Sequence, residues 1–199
     1  MAFFDSLKKL AGSQLKREAA KAIHEAAQSA GRGNNPAETF TFTDLPATLS
    51  ELRSLPEASL DSPFKTAALA LAALCRFTVD ETAACEMLDF LKGPEDLSNL
   101  EKQFIRERLA GKDYKCFSFF AGATPDNGYT PEKPYRITVC ANPYSFQTEH
   151  WATMYVTSGG ADDPRPIKLR QKPSTGQWFL NEIQCLSDIR LPKEQDPWA

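Results

Sequence analysis

The sequence predicts an α+β fold in which N-terminal helices precede a C-terminal antiparallel β-sheet packed on the helical layer. Three observations carry that prediction. Residues 44–112 hold a succession of helix-start and helix-stop signals. All three tryptophans and all five tyrosines fall between Tyr114 and Trp198, in stretches where bulky residues alternate with polar ones as strands require. The stretches between these strands are short, which favours antiparallel neighbours.

Residues 1–30 read as a basic amphipathic helix. Phe3, Phe4, Leu7, Leu10, Ala11 and Leu15 recur at helical spacing and form one stripe, which fades where Glu18 enters its path. The run GRGNNP, from Gly31 to Pro36, stops this helix, so residues 1–30 form an appendage and 31–39 a linker. The remainder, 40–199, is a single domain with a helical part at 44–112 and a β-rich part at 113–199.

The alternation TFTFT opens the domain with a short strand that sets Phe40 and Phe42 on one face. Leu45, Leu49, Leu52 and Leu55 then mark a short helix closed by Pro56. Ser62–Pro63 pairs a capping hydroxyl with a proline whose missing N–H costs nothing at the first helical position. The helix it starts, FKTAALALAALCRF, is apolar nearly all round and belongs at the centre of the fold. Thr78 with Glu81 predicts a capping box for the next helix, which Gly93–Pro94 ends. Ser98 with Glu101 repeats the device for a helix running to Leu109.

In the β-rich part PYRITVCA places Tyr135, Ile137 and Val139 on one face and Arg136, Thr138 and Cys140 on the other. WATMYVTS, PIKLRQK and QWFLNEI read as further strands, the last two joined by a hairpin turn over Lys172–Gln177.

Composition narrows the function classes. A net charge of −3 argues against nucleic acid as the main partner. The charge is uneven: residues 1–33 hold six basic residues against three acidic, a net of +3, and the rest carries −6. Five cysteines without a CxxC pair offer no zinc site and suit a reducing compartment. The opening MAFFDSLKKL lacks an uninterrupted apolar core for a secretory signal, and the run Ala67–Cys75 is far short of the ~20 residues a membrane span needs. A cytoplasmic protein without a cofactor is expected. GxGxxG, Walker, GxSxG and HExxH patterns are all missing from the sequence.

The candidate ligand-binding residues are Tyr129, Arg136, Asp162, Asp163, Arg165, Arg170 and Trp178. The segment SGGADDPRPIKLR supplies four of them, and a functional reading makes Asp162 and Asp163 a metal pair or an acid–base pair, with Arg165 and Arg170 holding an anionic substrate. Neighbouring carboxylates in extended chain point apart, however, and calcium-loop spacing is absent. The structural reading makes this segment a corner: Gly159 and Gly160 supply positive φ, Asp162 accepts backbone N–H groups, and Arg165 or Arg170 pairs with an aspartate. The corner is the reading the residues favour. Cys140 and His150 could meet across a hairpin as a nucleophile and base, but no oxyanion motif adjoins them. The tail DPWA ends on an aromatic, so Trp198 is expected to pack back onto the domain.

From Phe42 onward the chain resembles a bacterial domain family of unknown function. The segments that carry the resemblance are LPATLSELRSLPEASLDSPFKTAALALAAL, FFAGATPDNGYTPEKPY and the block from SGGADDPRPIKLRQKPSTGQWFL to the DPWA terminus. The resemblance implies a small bacterial cytosolic protein and brings no catalytic residues with it.

Two functions follow as expectations. The first is a non-enzymatic binding or assembly module that acts through its sheet or through self-association or a protein partner at the N-terminal helix. The alternative is a small-molecule binder or enzyme with an aromatic and arginine-lined pocket in the β-rich half. Contact of residues 1–23 with an anionic membrane surface is a lesser reading of the same helix.

Overall fold

A computed structural model describes residues 35–198. The basic helix expected over 1–30 lies outside them. The described chain is α+β, but it does not run helices first and sheet second. It begins with a strand, β1 (Ala37–Phe42), which takes in part of the expected linker. Five helices follow: α1 (Leu49–Ser54), α2 (Pro63–Leu74), α3 (Glu81–Lys92), α4 (Asn99–Leu109) and the single turn α5 (Tyr114–Phe117). Four strands complete the sheet: β2 (Tyr135–Cys140), β3 (Trp151–Val156), β4 (Arg165–Gln171) and β5 (Trp178–Ile183).

All neighbours in the sheet are antiparallel, in the order β1-β2-β3-β4-β5. The physical reason β1 joins it is its apolar face. Phe40 lies opposite Ile137 and Phe42 opposite Tyr135, so the two phenylalanines extend the core-facing side of β2. The outward pair Thr39 and Thr138 shares a hydroxyl–hydroxyl hydrogen bond of 2.8 Å.

The inward set is Ile137, Val139, Ala152, Met154, Val156, Ile167, Leu169, Trp178 and Leu180, all buried. Helix α2 lies on this face, and eleven of its twelve residues are buried, with Lys65 the exception. Its one buried polar side chain, Thr66, donates a 2.8 Å hydrogen bond to the Trp178 carbonyl and so ties the helix to β5.

Helix starts follow local chemistry. Ser62 caps α2 by accepting from the Phe64 N–H, with Pro63 in the first turn. Ser98 and Glu101 close the expected capping box on α4. Helix α3 departs from expectation: its cap is Asp80, which accepts from the Ala83 N–H at 3.0 Å, and not Thr78. A carboxylate at the helix start also meets the dipole favourably, an advantage a threonine lacks. Gly93 ends α3 with φ +81°, and a Cβ there would sit 2.4 Å from the Phe179 ring.

Candidate functional site

The glycine-rich corner is built by close approach. Neither Gly159 nor Gly160 adopts positive φ, which corrects the sequence expectation. A Cβ on Gly159 would lie 1.9 Å from the Ala123 carbonyl oxygen, and one on Gly160 would lie 2.1 Å from the Tyr129 hydroxyl. Gly159 N–H donates to the Ser118 carbonyl at 2.8 Å, and the Ser158 and Ser118 hydroxyls bond at the same distance. Arg190 N–H donates to the Gly160 carbonyl at 2.9 Å. The corner therefore clasps the 118–129 segment on one side and the C-terminal segment on the other.

The seven candidate residues occupy separate places. Tyr129 is buried, stacked on Tyr114 with centroids 5.3 Å apart, and its hydroxyl donates to the Arg190 carbonyl at 2.9 Å. Arg136 is exposed on β2 and pairs with Glu132 at 2.9 Å. Asp162 pairs with Arg190 and not with Arg165 or Arg170, and among the described residues it accepts no backbone N–H. Asp163 is exposed beside it. Arg165 donates from Nη2 to the Asp188 carbonyl at 2.8 Å. Arg170 lies over the Trp151 ring, 5.2 Å from its centroid, on the outward face. Trp178 points to the opposite, buried side and meets Phe146 edge-to-face at 6.3 Å. Arg165 and Arg170 stand at the two ends of β4, about 17 Å apart at strand rise. The seven do not line one cavity.

Cys140 and His150 are likewise apart. Cys140 lies opposite Tyr155, five residues along β3 from His150, a distance of about 17 Å. Burial raises the pKa of the Cys140 thiol, which opposes its ionisation. The deeply buried thiols go the same way, Cys116 through its hydrogen bond with Cys75 and then burial, Cys185 through burial. Such groups behave as small apolar side chains.

Among the described residues no group of three or more His, Cys, Asp and Glu side chains is placed to hold a metal ion. No described helix is long and apolar enough to cross a membrane.

A different feature collects exposed apolar and charged groups. Between α1, the C-terminal end of α3 and β5 lies a groove of about 540 Å³. Leu49, Phe90 and Phe179 form its apolar wall, all half-buried, with Gly93 between them. Glu86 and Asp96 stand exposed at its side and make no hydrogen bond or ion pair with the described residues. Asp89 is already engaged by the Leu97 N–H at 2.7 Å, and Arg53 lies over the Phe90 ring at 4.9 Å.

The sequence reading missed this groove because its residues come from three elements far apart in the chain. A signal existed. Phe90 falls outside the buried stripe of Ala84, Met87, Leu88 and Leu91, and Phe179 alternates with buried Trp178 and Leu180. Aromatics out of phase with their own buried face mark a second surface.

A layer of helices on one face of a five-stranded antiparallel sheet, with an aromatic groove between α1, α3 and β5, defines an α+β domain. The model of a domain of unknown function, DUF6935, matches residues 44–193. The chain belongs to that family. Neither a curated protein nor a solved structure matches it.

Proposed function

We propose that this protein is a non-enzymatic binding module whose groove between α1, α3 and β5 takes a short amphipathic segment with apolar side chains on one face and Lys or Arg on the other. The observation that carries this reading is the nearness of half-buried Phe90 and Phe179 to the carboxylates Glu86 and Asp96, which have no partner among the described residues. Aromatic anchors in a concave wall supply most of the affinity in such sites, and peripheral charges select the partner. An amphipathic helix in a groove is one of the recurring modes of peptide recognition.

The test is amide chemical-shift mapping on the full chain carrying Phe3→Ser and Phe4→Ser, which removes the chain's own amphipathic stripe as a competitor, with two synthetic amphipathic 14-residue peptides of equal apolar content. One has a lysine-rich polar face and the other a glutamate-rich one. The reading expects shifts at residues 86–96 and 177–179 from the basic peptide alone. Equal shifts from both peptides, or shifts elsewhere, would refute it.

A further inference from the structure

The groove carries acid on its flank, and the most basic part of this chain lies outside the described residues. Residues 1–33 have a net charge of +3 against −6 for the rest, and they open with Phe3, Phe4, Leu7 and Leu10 at helical spacing next to Lys8 and Lys9. This is the pattern the groove is suited to: an apolar stripe flanked by ammonium groups. We propose that the groove is occupied by residues 1–15 of the same chain, with the phenylalanines against Phe90 and Phe179 and the lysines facing Glu86 and Asp96. The inference rests on the binding-groove reading and names its occupant.

Chain length permits it. The described chain starts at Asn35, beside the edge strand β1, while the groove adjoins β5 at the other edge. Four strand spacings separate the two edges, about 19 Å. Residues 16–34 span about 29 Å even as a continuous helix and about 60 Å when extended. The tether is thus long enough to cross the sheet and short enough to hold its end at an effective concentration of about millimolar. A foreign segment of similar chemistry must compete with that, so the N-terminus acts as a built-in competitor for the groove.

The experiment is photo-crosslinking of the full chain with a benzophenone amino acid at Phe4, on an equimolar mixture of unlabelled and heavy-isotope protein. The inference expects crosslinks from residues 1–15 to residues 86–96 or 177–179, within one isotope label only. Combining Glu86→Lys with Asp96→Lys should lower their yield at least about fivefold, and adding Lys8→Glu with Lys9→Glu should restore it, as expected for charge pairs that set register and choice. Thermal melts of each variant establish that it is folded. Mixed-label crosslinks would make a second copy the occupant and overturn the inference. So would crosslinks elsewhere on the domain, or a folded protein with none. If crosslinks miss the groove while the free basic peptide still shifts it, only the choice of occupant is wrong. If both miss, the groove reading itself falls.

Discussion

Replacing Gly159 or Gly160 by alanine tests whether the glycine corner is a clasp. At Gly159 the new methyl would sit 1.9 Å from the Ala123 carbonyl oxygen, a backbone atom that no rotamer change can move. Relief requires the 158–161 chain to part from the 118–124 segment, straining the Gly159–Ser118 backbone bond. At Gly160 the obstacle is the hydroxyl of a buried tyrosine ring, held by Tyr114 and by its bond to the Arg190 carbonyl. Overpacking a well-filled site costs about 1–3 kcal/mol. Leaving a buried hydroxyl or N–H without a partner adds about 1–3 kcal/mol. Each substitution should therefore cost about 3 kcal/mol, with Gly159→Ala the larger. For a chain of this size that lowers Tm by about 6–12 °C. Urea unfolding followed by circular dichroism measures the effect. A double-mutant cycle sharpens it for the second site. Tyr129→Phe alone loses about 1 kcal/mol. Combined with Gly160→Ala it should cost less than the sum, because the atom that clashes has gone. Gly159→Ala within 0.5 kcal/mol of the parent, or strict additivity in the cycle, would refute the clasp.

Three further outcomes follow from other parts of the structure. Thr66→Val should destabilise by about 1–2 kcal/mol in urea unfolding, since the Trp178 carbonyl loses its buried donor. Trp198→Ala should leave Tm unchanged, because Trp198 is 93% exposed. The alkaline limb of stability should be steep. Cys116 and Cys185 have folded pKa values raised above the ordinary thiol value of 9.0, so their stabilising contribution is intact below that pH and declines as pH rises past it, while unfolded thiols ionise. Between pH 8 and 10 the loss is about 1.4 kcal/mol per thiol, and Cys116→Ala with Cys185→Ala should flatten that slope in pH-dependent urea titrations.

The last tryptophan illustrates where sequence reasoning failed. The tail is fastened through backbone and charge: Arg190 to Asp162 and to Gly160, and Lys193 to Asp126 at 3.1 Å. Its final aromatic is left outside, with its own N–H bonded to Asp196 at 2.9 Å. Apolarity predicts burial only on average, and the contacts that hold a tail are set by what lies beneath it. Local signals were legible because they are local. Ser62–Pro63, Ser98 with Glu101 and the turn over 172–177 each act within a few residues, and each appears in the structure. The alternation of Phe40 and Phe42 was legible too, but not its pairing with Ile137 and Tyr135, which depends on a partner strand beyond five helices. The corner shows a subtler limit. Glycine serves both for positive φ and for close approach, and one sequence cannot separate the two uses. The arginines and aspartates of 162–170 looked like a site because they are near in sequence. Strand geometry disperses them, while Phe90 of α3 and Phe179 of β5 line one groove.

On the binding-groove proposal, the acidic flank of the aromatic groove selects a basic amphipathic segment. It is tested by the Kd of a fluorescent lysine-faced amphipathic peptide for the full chain carrying Phe3→Ser and Phe4→Ser, which removes the chain's own apolar anchors, measured by anisotropy at low salt with and without Glu86→Lys and Asp96→Lys. Reversing two exposed charges, each worth up to about 1 kcal/mol, should weaken binding about tenfold or more, with the difference shrinking as salt is added. Equal affinity for both folded proteins would mean that the flank does not select the segment.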